Sequence, residues 1–417
     1  MIERNSNTAW LLMLCTSQIF IMLVFINYSA ILPLLKSEWA MTNTQAGLIF
    51  SAYQLGYIAS GVLLSALSDR LNIRIIFLAS AIWSCIANLL FALYADDYLS
   101  GLLLRALTGI GMGGTYMPGL KLVAERFDSS LRGRAIGMYV GSLVLGASLS
   151  LVVPGTIAGI WGWRIAMQVC SIGVFIGICI AVPVFRDYRP SPVLKSPRGF
   201  SGEILQNRPA FLVILGYASH MWEMYGMRSW LAPFFAAALV GWGMAAGQAT
   251  VTASAIAAAL VGLGTFSTAL TGFLSDRFGR TSIVTVVMIG SACCSLLFGW
   301  LINTNLWLTL GIGVLYGWLI VAESPVFSTA LTELVAPGYL GAAMGMQSLV
   351  GYTMGMISPA VFGWALDHFQ GWQPLPGIDG AWGIAFTTLA LGAMLGPFFM
   401  WLLRRDPQSV RMAQGKR

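Results

Sequence analysis

Apolar runs long enough to cross a bilayer, separated by short polar breaks, fill this chain from end to end. A membrane-crossing helix needs about 20 consecutive apolar residues. The runs lie at 10–34, 44–68, 75–94, 98–123, 133–158, 163–185, 209–236, 246–273, 281–302, 306–332, 340–366 and 381–403. They predict an all-α integral membrane protein of about twelve transmembrane helices, arranged as two pseudo-symmetric six-helix bundles. The first run, Ala9 to Leu35, is too long for a signal-peptide core and has no small-residue cleavage site, so it reads as a retained span.

The polar breaks repeat. Leu274-Ser275-Asp276-Arg277-Phe278-Gly279-Arg280 has a near copy 207 positions earlier, Leu67-Ser68-Asp69-Arg70-Leu71-Asn72-Ile73. At an offset of 208, Glu125 matches Glu333, and Gly133, Ala135, Gly137 and Met138 match Gly341, Ala343, Gly345 and Met346. Two repeated bundles of this kind are a common plan for secondary transporters. Between the repeats, Arg186 to Arg208 carries three prolines and a cluster of basic residues and reads as a linker. The expected division is 1–187 for one bundle, 188–207 for a cytoplasmic linker and 208–417 for a second bundle with a short basic tail.

Composition narrows the class. The 417 residues are 57% hydrophobic and 9% charged, against about 25% charged in soluble domains. No separate soluble domain fits, and lipid is the expected solvent. The net charge of +7 does not point to nucleic acid, because the basic residues gather in alternate breaks. Only Lys36, Arg105, Arg164 and Arg228, of the 23 Lys and Arg, fall outside the breaks assigned to one face. The positive-inside rule then places both termini in the cytoplasm and the protein in the cytoplasmic (inner) membrane. The six cysteines all lie in apolar runs without ligand or loop pairing, so neither a disulfide nor zinc is expected. His220 and His368 fall on different faces of the bilayer, which makes a poor metal site. No cofactor is expected, and no GxxxxGK[ST] loop is present to bind ATP.

A charged side chain deep in a bilayer costs at least about 2.5–3.5 kcal/mol on insertion scales and is read as functional by default. The seventh span is richest in such groups. On a helical wheel Tyr217, His220, Glu223 and Arg228 fall within an arc of about 140°. Glu323, in the tenth span, is followed by Ser324 and Pro325. A proline there would free the carbonyl of Val321 beside a carboxyl group. Arg105 lies about two turns into the fourth span and suits an anionic solute or a carboxylate partner. Asn27 and Tyr28 in the first span offer neutral hydrogen bonds. The substrate-binding candidates are therefore Asn27, Tyr28, Arg105, Tyr217, His220, Arg228 and Glu323. The proton-coupling candidates are His220, Glu223 and Glu323. Asp69, Arg70, Asp276, Arg277 and Arg280 are expected to form a cytoplasmic gate that holds the inside closed. The GxxxG pairs Gly137/Gly141 and Gly341/Gly345 suggest tight helix crossings.

These motifs resemble the major facilitator superfamily over almost the whole chain, from Trp10 to Arg405. Gly272 to Arg280 is close to the family's loop signature, with Ser65 and Asn72 replacing the two glycines of the earlier copy. Asn72 is expected to keep the left-handed turn. Arg105 with Gly109, Gly111, Gly113 and Gly114 resembles the family's fourth-helix motif. Glu125-Arg126-Phe127 to Gly137 resembles its fourth-to-fifth loop, and Trp161-Gly162-Trp163-Arg164 the start of its sixth helix. The glycine-proline motif of proton-driven drug exporters is absent from Gly141 to Gly146. The resemblance implies a cavity lined by helices 1, 4, 7 and 10. The nearest branch suggested is that of the nitrate, nitrite and cyanate porters. Nitrate porters use an arginine in helix 2 and another in helix 8, and this chain has neither in Thr44–Ser68 or Gly247–Ser275.

The expected function is secondary active transport by alternating access, with protons as partners and a small anionic or zwitterionic solute as cargo. A monomer is expected. Efflux of amphiphilic drugs or metabolites, and a non-transporting membrane sensor, are the alternatives. An enzyme is not expected.

Overall fold

Every apolar run that the sequence marks out is helical in the computed structural model, which describes residues 2–67, 72–186, 206–336, 339–375 and 378–416. The first half contributes α1 (Ile2–Ile21), α2 (Asn27–Glu38), α3 (Asn43–Leu67), α4 (Ile73–Tyr94), α5 (Tyr98–Met112), α6 (Tyr116–Arg126), α7 (Ser129–Trp161) and α8 (Trp163–Val184). The second contributes α9 (Arg208–Gly241), α10 (Ala246–Phe278), α11 (Arg280–Phe298), α12 (Leu306–Leu319), α13 (Ser324–Leu334), α14 (Leu340–His368) and α15 (Gly380–Arg405). The pairs α1/α2, α5/α6 and α12/α13 each follow one apolar run with a break inside it, so these fifteen helices of the described residues form twelve rods. Among the described residues, nine helical segments are long and apolar enough to cross a membrane. The protein is a multi-pass, all-helical membrane protein of two-bundle architecture. Asp69, Arg70 and nearly all of the expected linker lie outside the described residues.

Local chemistry sets the helix ends. Asp97 accepts the Ser100 amide at 2.8 Å, and the Ser100 hydroxyl returns to the Asp97 amide, a reciprocal cap at the start of α5. Asn305 accepts from the amides of Trp307 and Leu308 at the start of α12. Gly279 joins α10 to α11 with φ +96°, a conformation that favours glycine. Its repeat partner does otherwise. Asn72 has φ −63° and accepts the Arg74 amide as a helix cap. The left-handed turn expected there is absent, because an Asn side chain can satisfy a helix start without it.

By proximity of its backbone the chain divides into two units. The first holds Met1–Met41, Leu48–Leu194 and Leu231–Gly262. In it, Gly155 and Gly159 of α7 press against α10. A side chain on Gly155 would collide with Ser254, and one on Gly159 with Val251 and the Gly247 carbonyl. The Ser148 hydroxyl donates to the Ala258 carbonyl at 2.7 Å in the same seam. The second unit holds Thr42–Gly47, Lys195–Trp230 and Leu263–Arg417. In it, the first turn of α3 docks on the end of α14. A side chain on Gly47 would strike the Pro359 carbonyl, and one on Gly363 the Asn43 carbonyl. Among the described residues, nothing lies within 4 Å of a side chain added at Gly137, Gly141, Gly341 or Gly345. The tight crossings expected at those GxxxG pairs are therefore not made. Close packing sits instead at the opposite ends of the same helices.

Asp367 fixes the α3–α14 seam. Its Oδ1 accepts from the Asn43 amide and Nδ2, both at 2.8 Å. Its Oδ2 accepts from the Thr44 amide and Oγ1, both at 2.7 Å. One carboxylate thus satisfies free amides at a helix N-terminus, where the helix dipole also favours negative charge. Asp367→Ala is expected to lower stability by about 1–2 kcal/mol. Asp367→Asn, which keeps one carbonyl acceptor, should fall between it and wild type. Thermal unfolding of the purified protein checks both.

Candidate functional site

A histidine and a carboxyl group meet where α12 gives way to α13. The helix ends at Leu319, the chain turns through Ile320–Glu323, and Pro325 enters the first turn of α13. Glu323 therefore sits at a junction, rather than mid-way along one helix as the sequence suggested. The Val321 carbonyl is not freed, because it accepts the Ser324 amide at 3.2 Å. The Glu323 backbone carbonyl caps α13 by accepting from Val326 and Phe327. Its side chain makes no cap and is left to reach α9.

There Glu323 Oε1 lies 2.8 Å from His220 Nδ1, and both side chains have zero exposure. Neither His220 Nε2 nor Glu323 Oε2 has a hydrogen-bond partner. The rings of Tyr217 and Phe327 flank the imidazole, with centroids 5.7 and 6.3 Å away. One turn along α9, Glu223 Oε2 accepts from the Ser291 hydroxyl of α11 at 2.9 Å. The Tyr316 hydroxyl donates to Ser295 at 3.1 Å beside it. Three titratable groups are thus enclosed in the second unit without a lysine or arginine among these partners. Carboxyl and imidazole groups are the side-chain types used as general acids and bases.

The first unit holds a different centre. Arg105 of α5 is 1% exposed. Its Nη1 donates to Asn27 Oδ1 at 3.0 Å and to the Val24 carbonyl at 3.4 Å. The guanidinium lies over the Tyr53 ring, 4.6 Å from its centroid, and 5.8 Å from that of Tyr28. Asn27 opens α2, just after the chain breaks at Phe25–Ile26 between α1 and α2. Its Nδ2 donates to Asn88 Oδ1 at 3.1 Å, and Asn88 Nδ2 donates to the Met167 carbonyl and Ser171 Oγ, both at 2.9 Å. Among the described residues no carboxylate pairs with Arg105. Its charge is met by an amide, a carbonyl and two aromatic faces, and its Nε has no partner.

Arg228 is buried on α9 beside Tyr225 and Tyr352. It lies about 12 Å along the helix from His220, so the shared polar face read from the wheel divides into separate environments. In the later copy of the repeated loop the charges pair within the second unit. Arg280 forks to Glu333 Oε1 at 2.8 Å and Asp276 Oδ1 at 2.5 Å, and donates to Ser275 Oγ at 2.7 Å. Glu333 accepts the Ala413 amide, and the Lys416 ammonium donates to the Asp276 carbonyl. Arg277 lies over its neighbour Phe278. Asp276 and Arg280 therefore fasten α10, α11, α13 and the C-terminal tail of one repeat. The guanidinium fork is filled by these two carboxylates. Asp69 and Arg70 lie outside the described residues.

Sequence reasoning missed Tyr53, Asn88, Ser291 and Asp367. The first three are neutral and lost among apolar runs. Asp367 stands just past the end of an apolar run, where a charge carries no signal of its own. Among the described residues, no group of three or more His, Cys, Asp or Glu is placed to hold a metal ion.

Comparison with known proteins places this geometry. The family model described as Major Facilitator Superfamily matches residues 14–359 and 248–417. A protein of Cupriavidus pinatubonensis described as "Probable 4-methylmuconolactone transporter" is 27% identical over 391 residues, 89% of this chain and 86% of that protein. The hexuronate transporter of Bacillus subtilis is 23% identical over 362 residues, 81% of this chain and 82% of that one. "Probable sulfoacetate transporter SauU" of Cupriavidus necator is 26% identical over 413 residues, 91% of each. Among solved structures, a bacterial homologue of the human lysosomal transporter Spinster, inward-facing and occupied, superposes with a TM-score of 0.76. The identity is 19%, and 96% of this chain and 97% of that one are covered.

The Asn27–Asn88 network makes one expectation independent of transport. Asn88→Leu leaves the Asn27 amide and Ser171 hydroxyl short of a buried partner and should cost about 1–3 kcal/mol. Thermal unfolding against wild type measures it.

Proposed function

The chain belongs to the major facilitator superfamily and is a transporter rather than an enzyme, and from that premise we propose that it is a proton-coupled carrier of a small organic anion. The single observation that supports this reading is Arg105. A buried guanidinium is permanently charged, and here it is solvated by neutral groups alone among the described residues. An anionic solute would supply the missing charge and take the planar, paired hydrogen bonds that guanidinium makes with carboxylates. The names of three relatives accord with it. Hexuronate and sulfoacetate are acid anions, and "Probable anion transporter 6, chloroplastic" of Arabidopsis thaliana is 23% identical over 380 residues, 82% of this chain and 70% of that protein. Arg228 is a second cation on the candidate list, with Asn27, Tyr28 and Tyr217 as neutral contacts. The nitrate-porter branch gains nothing, since α3 has no arginine and α10 has only Arg277 beside its cytoplasmic end.

Proton coupling is assigned to His220, Glu323 and Glu223. The His220–Glu323 pair holds one proton at its neutral point. A second proton makes it cationic, and removal of the first makes it anionic. Each change alters the cost of keeping the cluster buried, and a proton shifts the equilibrium between carrier states only through such a difference. The remaining parts of the proposal are a monomer in the cytoplasmic membrane, both termini inside, divided as 1–187 and 208–417 about the 188–207 linker. Nucleic acid has no role.

Two measurements test it. In proteoliposomes, Arg105→Gln should weaken binding of a carboxylate solute about 10–100-fold, the loss of a charge-assisted interaction of about 1.5–3 kcal/mol. Wild-type affinity in that variant would remove the anion reading. Glu323→Gln should abolish accumulation driven by an imposed pH gradient while counterflow exchange continues. Accumulation at the wild-type level would shift the coupling to Glu223.

A further inference from the structure

Gln54 lies near the middle of α3 and is 3% exposed, yet neither its Nε2 nor its Oε1 has a hydrogen-bond partner. An amide with both ends unsatisfied is costly in an apolar interior. Gln18 of the same unit leaves its Nε2 unused but accepts the Tyr139 hydroxyl at its Oε1, and two other amides show the fuller contrast. Asn27 and Asn88 spend donors and acceptors on each other, on Arg105 and on α8.

Helical geometry puts Gln54 beside the Arg105 centre. Phe50, Tyr53 and Gln54 fall within an arc of about 100° on α3. Phe50 packs edge-on against Tyr28, with centroids 4.7 Å apart, and Tyr53 lies under the Arg105 guanidinium. Leu48 and Leu55 mark the other side of the helix and are exposed. Tyr28 is fully buried and its hydroxyl also lacks a partner. The same side of α3 therefore meets one cation without a counter-ion, one unused amide and one unused phenol. A carboxylate could take the donors of both, but it would leave the Gln54 carbonyl unpaired, because a carboxylate only accepts and an amide also needs a donor for its oxygen.

We propose that Gln54 and Tyr28 recognise a second oxygen function on the solute, so that the carrier selects hydroxy or oxo acids over simple alkanoates and inorganic anions. This inference rests on the anion reading of Arg105. The carboxylate binds the guanidinium, and the hydroxyl or carbonyl oxygen binds Gln54 Nε2, with Oε1 accepting when the group is a hydroxyl. A site built around such hydrogen bonds disfavours the analogue that lacks the oxygen, since the amide is then left buried and unpaired.

The test uses full-length protein in nanodiscs, with binding read by thermal shift and titration. Paired probes of equal charge are lactate against propionate, malate against succinate, and galacturonate against hexanoate. Wild type should bind the oxygenated member of at least one pair about tenfold more tightly or better. Gln54→Met should bring that ratio towards one by weakening only the oxygenated acid. It should also raise the melting temperature without ligand, because an unsatisfied buried amide is removed. Tyr28→Phe, which deletes a single hydroxyl, should reduce the same ratio and keep the fold. Equal binding within every pair in wild type, or a ratio unchanged in both variants, overturns the inference. If Arg105→Gln abolishes binding of both members while the Gln54→Met ratio stays at wild type, this inference fails and the anion reading stands. If Arg105→Gln changes nothing, or no acid binds wild type, the anion reading fails and takes this one with it.

Discussion

Charge held out of water is the constraint on which the rest of this molecule turns. Lipid-exposed helices leave no solvent to hydrate an ionised side chain, and each such group costs several kcal/mol unless the protein supplies partners. A whole domain is stable by only about 5–15 kcal/mol. The chain meets that cost differently in its two units. In the second, His220 and Glu323 face each other at 2.8 Å, and Glu223 leans on the Ser291 hydroxyl. In the first, Arg105 rests on Asn27 and two tyrosine faces, and the amide network behind it fixes Asn27 in place. The second unit thus encloses a carboxyl–imidazole cluster, and the first a cation that no carboxylate pairs with among the described residues.

Breaks in three rods make these placements possible. The chain interrupts its fourth rod at Gly113–Thr115 and its tenth at Ile320–Glu323, positions related by the same offset that relates the charged loops. One repeat uses glycines and the other a proline, so only the backbone event is shared. The break between α12 and α13 turns the Glu323 backbone into a cap and releases its side chain towards His220. The break between α1 and α2 brings Asn27 and the Val24 carbonyl to Arg105. Unbroken helices would use those carbonyls internally. The packing of the long helices has a similar logic. Gly155, Gly159 and Gly363 accept close neighbours, whereas Gly137, Gly141, Gly341 and Gly345 accept none. A GxxxG spacing grants a helix the capacity for close approach and does not say at which end it will be used.

The helices and their order, the membrane environment, the internal repeat and the short list of ionisable intramembrane residues were legible in the chain. Each depends on local composition: enough apolar residues to span a bilayer, matched motifs at a constant offset, and a few charges too costly to be incidental. His220, Glu323 and Arg105 were named on that basis and Asn27 as a neutral hydrogen-bonding group, and the structure brings them together in two pairs. Partner choice was decided only by tertiary structure. Glu323 takes His220 and not an arginine, Arg105 takes an amide and not a carboxylate, and Arg280 forks inside its own repeat, because a side chain bonds to whatever the packing of other helices carries within about 3 Å. Asp367 and Gln54 were unreadable for the same reason. The sequence counts polar atoms, but which of them end up satisfied depends on contacts between residues hundreds of positions apart.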